Sequence, residues 1–141
     1  MDCKEARTLI RNYVFWRDVR IPALKAEISN LGQSITANYS GSVRSSDVSD
    51  PTSSLVMKKE RLEEELRQLE TCVRIIEWVR EFLGDEYARV FDLLIYQDKY
   101  TWVEMVDKSE LTEKEFRLRR IKVIRKIGEA FEGLSFYRSS A

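Results

Sequence analysis

Between residues 62 and 83 the apolar side chains keep a strict beat: Leu62, Leu66, Leu69, Val73 and Ile76 step by four, three, four and three, and Leu83 follows seven further on. Only a helix gathers that spacing onto one side. It forms a heptad seam, and Glu63, Glu64, Glu65, Arg67 and Glu70 cover the outer face. The pattern predicts a long helix over about 52–83, opened by Asp50-Pro51-Thr52-Ser53 and stopped by Gly84. A second stripe, Leu9, Tyr13, Trp16, Leu24, Ile28 and Leu31, predicts a helix over 3–31. Pro22 falls inside it. Its ring removes a backbone donor and clashes with the preceding turn, so a kink or break is expected near Arg20–Ile21.

The two helices read as an antiparallel, coiled-coil-like hairpin. Their connection, residues 32–54, draws thirteen of its 23 residues from Ser, Thr, Gly and Pro, a composition that predicts a flexible loop. A two-helix hairpin buries little surface. The seam is therefore open to two uses, an ordinary intramolecular pair or a contact with a second subunit. With Phe15 and Trp16 read as exposed beside Tyr13, self-association is expected, a dimer being the favoured homo-oligomer.

Composition closes off other routes. The chain has no His, which excludes Ser-His-Asp and Cys-His machinery and zinc sites with His ligands. Two cysteines cannot fill a four-thiolate zinc site, and Cys3 and Cys72 read as a tail thiol and a core thiol. No Gly-rich phosphate loop is present, and helical carboxylates are normally solvating charges. The expectation is no enzyme, no catalytic residue, no metal and no cofactor. Apolar runs are as short as Leu93-Leu94-Ile95-Tyr96, so no membrane span is expected. The charged start Met1-Asp2-Cys3-Lys4-Glu5 does not read as a signal peptide, and cysteines this sparse fit a reducing cytoplasm.

Lys plus Arg and Asp plus Glu are 24 each, but they are not evenly spread. Residues 84–111 carry a net −4 and residues 112–141 a net +4. That stretch is also the most patterned. Asp85 to Tyr96 reads as a helix, Gln97-Asp98-Lys99 as a turn, and Thr101 with Glu104 as a capping box for a short helix to about Lys108. Ser109-Glu110-Leu111 is the next turn. Thr112 with Glu115 caps a long helix to about Phe131. On that last helix Phe116, Val123, Ile127, Ala130 and Phe131 form the core stripe, with Ile124 at its edge. Lys114, Leu118, Arg119, Lys122 and Arg125 lie opposite. From Arg117 to Lys126 there are six basic residues and no acidic one. A basic helix behind a short helix and a tight turn has the layout of a helix-turn-helix, whose second helix fits the major groove of double-stranded DNA. Arg125 and Lys126, further along, suit backbone phosphates. The expected architecture is thus all-α, with residues 1–84 as hairpin and oligomerisation region and 85–141 as the helix-turn-helix domain.

The stretch from Val90 to Phe131 resembles region 4 of bacterial sigma factors. The resemblance rests on Leu94-Ile95-Tyr96, Thr101, Glu104-Met105-Val106, Thr112, Phe116, Val123-Ile124 and Ile127. The whole layout is similar to the RinA/ArpU type of phage late-gene transcription activator. That resemblance implies a sequence-specific DNA-binding regulator that activates phage late genes in the cytoplasm of a bacterial host, with host RNA polymerase as a candidate partner. It implies groove-facing positions for Lys114, Arg117, Leu118, Arg119 and Lys122, with Thr112 at the helix start. Two departures stand out. Such motifs usually place Gly in the turn where this chain has Ser109-Glu110, and Trp102 is bulky for the start of the scaffold helix. Two other functions fit the same features: a phage small terminase subunit that binds the packaging site, and a helical protein-binding adaptor.

Overall fold

The computed structural model describes residues 3–41 and 51–134, and every regular element among them is helical. Six α-helices follow in order: α1 (Cys3–Phe15), α2 (Ile21–Gly41), α3 (Pro51–Leu83), α4 (Asp85–Ile95), α5 (Trp102–Ser109) and α6 (Glu113–Ala130). Among the described residues, no helix is long and apolar enough to cross a membrane.

Pro22 does not break the first helix. The chain instead widens into a π-helical turn over Trp16–Arg20, where the Ile21 N–H bonds back to the Trp16 carbonyl. Such a turn accommodates the proline by placing it in the first turn of α2, where a missing N–H costs little. Arg20 then ties the start of α2 to α3 through a forked pair with Glu65, with N–O distances of 2.8, 2.9 and 3.0 Å.

The expected loop over 32–54 is helical at both of its ends. Helix α2 continues through Gly41 and α3 begins at Pro51, so 32–41 and 51–54 are helical, while 42–50 lie outside the described residues. Tertiary contact overrides weak propensity here. Leu31 and Ile35 are half-buried, Gly32 lies beside Lys59 of α3, and the Thr36 hydroxyl donates to the Gly32 carbonyl at 3.0 Å.

The α3 seam is filled by the chain itself. Leu69, Val73 and Ile76 are buried together with Cys72 and Val79, and Leu62, Leu66 and Leu83 pack against them. Tyr13 and Trp16 are buried too, so of the aromatics expected at the surface only Phe15 is exposed. The seam is therefore not free for a second subunit. It holds α2 along one stretch and α1 along another.

A single apolar core crosses the junction at Gly84. Leu9, Ile10 and Tyr13 of α1, with Trp16 at the start of the π-helical turn, share it with Ile76 and Val79 of α3, Phe91 and Leu94 of α4, and Val123 and Ile127 of α6. Helix α1 packs on α6, α4 and α3, so it couples the hairpin to the C-terminal helices. Gly84 adopts φ 79° between α3 and α4, a conformation open to glycine at no steric cost.

Two outcomes check this core. Replacement of Trp16 by Ala should lower stability by about 3–5 kcal/mol in denaturant titration, as a large buried side chain leaves a cavity. The two thiols should separate cleanly. Cys3 is exposed and should react with a thiol reagent at once, whereas Cys72 is buried and should react only as the protein unfolds. Burial pushes the Cys72 thiol up to about 11 from its ordinary 9.0. Because the folded form then keeps its proton after the unfolded form has lost it, stability should fall as pH rises from 9 towards 11.

Candidate nucleic-acid interface

The C-terminal helices are built from their caps inward. Thr101 accepts from the Glu104 N–H at 3.2 Å while the Glu104 carboxylate accepts from the Thr101 N–H at 3.3 Å, a complete capping box for α5. Thr112 accepts from the Glu115 N–H at 3.2 Å and starts α6. Between them the turn reverses through Glu110, at φ 61° and ψ 20°. Among the described residues Glu110 is the one non-glycine with positive φ. The left-handed turn residue that glycine would supply is thus present, held by a larger side chain. Ser109, buried beneath it, donates to the Val106 carbonyl at 2.6 Å and accepts from the Leu111 N–H at 3.2 Å. Trp102 is accommodated because it packs edge-on against Phe116, with ring centroids 5.2 Å apart.

Helix α6 turns Phe116, Val123, Ile124 and Ile127 into the core and leaves a crest of Lys114, Leu118, Lys122 and Arg125 facing away. Lys114 and Arg125 make no ion pair or hydrogen bond among the described residues. Leu118 is 59% exposed on this crest, an apolar group set among cations. The expected site residues divide at this point. Lys114, Leu118 and Arg125 stand free on the crest, while Lys122, exposed beside them, leans over the Tyr87 ring of α4. Arg117, Arg119 and Lys126 lie along its edges and are held by neighbours.

Arg119 bends towards α4. Its guanidinium donates to the Glu86 carbonyl at 2.7 Å, approaches the Glu86 carboxylate at 3.5 Å and lies over the Tyr87 ring. Lys122 covers the same ring at 5.2 Å. Lys126 sits 4.2 Å above the Phe82 ring and 5.8 Å from that of Trp78, and pairs with Glu129 at 3.6 Å. On the other edge Arg117 pairs with Glu113 at 2.9 Å and covers Trp102 at 5.5 Å. Each edge of the basic helix therefore rests on aromatic rings contributed by other helices, which fix the cations in place.

Arg120 belongs to this group although the sequence pattern does not single it out. It lies 5.3 Å over Trp102 and makes no ion pair among the described residues. Burial, then the nearby charges of Arg7 and Arg117, hold its guanidinium below the ordinary arginine range. Its position between stripe and crest hid it from the face-by-face reading. No cluster of three or more metal-ligating side chains occurs among the described residues.

Residues 3–129 match a family described as a protein of unknown function, DUF722. The chain belongs to the DUF722 family. The match takes in both the hairpin and nearly all of α6, so DUF722 extends across the continuous core described above. No curated protein and no solved structure matches the chain.

The turn of this DUF722 chain makes opposite predictions for adjacent residues. Replacing Ser109 by Ala leaves the Leu111 N–H without its partner and should cost about 1–2 kcal/mol. Replacing Glu110 by Gly relieves the left-handed strain, and should raise stability by about 0.5 kcal/mol after glycine's added chain entropy and the loss of the exposed Arg89 pair. Thermal melts of the two variants, read against the unaltered protein, check both signs.

Proposed function

We propose that the chain is a sequence-specific, double-stranded DNA-binding transcription regulator that inserts α6 into the major groove. The observation that carries the reading is the crest of α6, where Lys114, Lys122 and Arg125 flank the exposed Leu118 on a helix opened by a capped tight turn. A helix of this width fits the groove. Lysine and arginine there displace counterions from phosphates, and an arginine can take guanine O6 and N7 in a forked pair. An apolar Leu118 offers contact to a thymine methyl. Arg117, Arg119 and Lys126, steadied on rings at the edges, suit the phosphates that border the groove. The likeness to the RinA/ArpU type extends the proposal to activation of phage late genes through host RNA polymerase.

The test is selection of bound sequences from random double-stranded DNA at two salt concentrations, followed by mobility-shift titration. An enriched motif is expected, together with affinity that falls as salt rises. Replacing Lys122 or Arg125 by Ala should cost about 1–3 kcal/mol if the side chain reads a base, with preference relaxed at one position. Replacing Lys126 should weaken all sequences alike and reduce the salt slope by about one. Binding that enriches no sequence and ignores salt would overturn the proposal.

A further inference from the structure

Helix α3 carries an apolar patch on the face opposite its seam. Trp78 is 50% exposed and Phe82 59% exposed, and their rings stack at 5.1 Å. Two large aromatics exposed side by side form an apolar patch of the kind that proteins use for association. Lys126 reaches one edge of this patch but leaves more than half of Phe82 open. A shallow cleft lined by Thr71, Arg74, Ile75, Trp78 and Ala130 adjoins it, one to two turns earlier on the same helix.

Charge identifies the occupant. Arg74 and Glu81 are exposed, share the outer side of α3 with Trp78, and make no ion pair or hydrogen bond among the described residues. They are seven residues apart, about two turns or ~10.5 Å. A basic partner would leave Arg74 opposed, and an acidic one would leave Glu81 opposed. The same face read in the reverse direction satisfies both at once, because antiparallel pairing about a two-fold axis sets residue 74 against 81 and 81 against 74. In that register the two Trp78 side chains meet near the axis, and each Phe82 falls towards the other copy's cleft at Thr71, Arg74 and Ile75.

We propose that this outer face of α3 docks a second copy of the chain, antiparallel, with Arg74 of each copy paired to Glu81 of the other around a Trp78–Phe82 centre. The contact is isologous and closed, so it forms a dimer and goes no further. It differs from a shared heptad seam, which the chain fills internally, and it stands whether or not α6 binds DNA.

Sedimentation of the full chain at micromolar concentration tests the proposal, with circular dichroism to show that each variant is folded. The unaltered protein should sediment at twice the 16.7 kDa chain mass. Arg74→Glu alone sets two carboxylates face to face, and Glu81→Arg alone sets two guanidinium groups face to face. Each should weaken self-association about tenfold or more. The double variant Arg74→Glu with Glu81→Arg restores opposite charges in exchanged positions and should recover the dimer. A monomeric unaltered protein would overturn the proposal. So would a dimer indifferent to both single changes, or one that the double variant fails to restore.

Discussion

The burial of one stripe of α1 governs the arrangement of everything else. Leu9, Ile10 and Tyr13, with Trp16 in the turn that follows, are buried in the same core as α3, α4 and α6, so α1 and this turn bind together segments far apart in sequence. Without that stripe the hairpin and the C-terminal helices would each present an open apolar face. Polar contacts refine the same join. Tyr13 donates to Glu77 of α3 at 3.0 Å and accepts from Arg17 at 3.3 Å, and Gln97 reaches the Arg7 carbonyl at 3.5 Å. Each is worth little beside the apolar burial, but they fix the rotation of α1 about its axis.

The electrostatics of α6 follow from the same packing. With the core side fixed, the cations sort themselves by angle into a free crest and two supported edges. The supported cations are already restricted by the rings beneath them. Lys114 and Arg125 on the crest keep their full reach. A helix made this way separates restrained cations from freer ones without any change in charge type.

Local signals were readable in the sequence wherever the physics is local. The stripe of α3, the caps at Thr101 and Thr112 and the stop at Gly84 depend on residues within a turn or two, and each stands where its pattern indicates. Long-range choices were not. Nothing in the spacing of Leu9 and Trp16 tells that they meet α6, and nothing in the run Arg117–Lys126 reveals that Tyr87, Phe82 and Trp78 lie beneath its cations. The Ser- and Thr-rich composition after Leu31 did not mark where α2 ends, because weak helix propensity over 32–41 is overridden by packing on α3. The left-handed Glu110 was hidden because its strain is offset by Ser109 and the caps on either side, which no single residue discloses.

The π-helical turn at Trp16–Arg20 has a consequence for the rod formed by α1 and α2. A wide turn takes up about one residue more than the α-helical repeat, which resets the angular phase of everything after it by roughly 100°. A uniform helix would have to present one unbroken stripe to every neighbour. With the phase reset, the front half can face three helices while the rear half packs chiefly on α3, and a single uninterrupted backbone serves two differently oriented contacts. In these terms Trp16–Arg20 is a one-residue insertion retained as a joint. Pro22, the residue directly after Ile21, keeps the joint from relaxing back into regular winding, since it cannot supply the N–H that an α-helical bond to the Asp18 carbonyl would require.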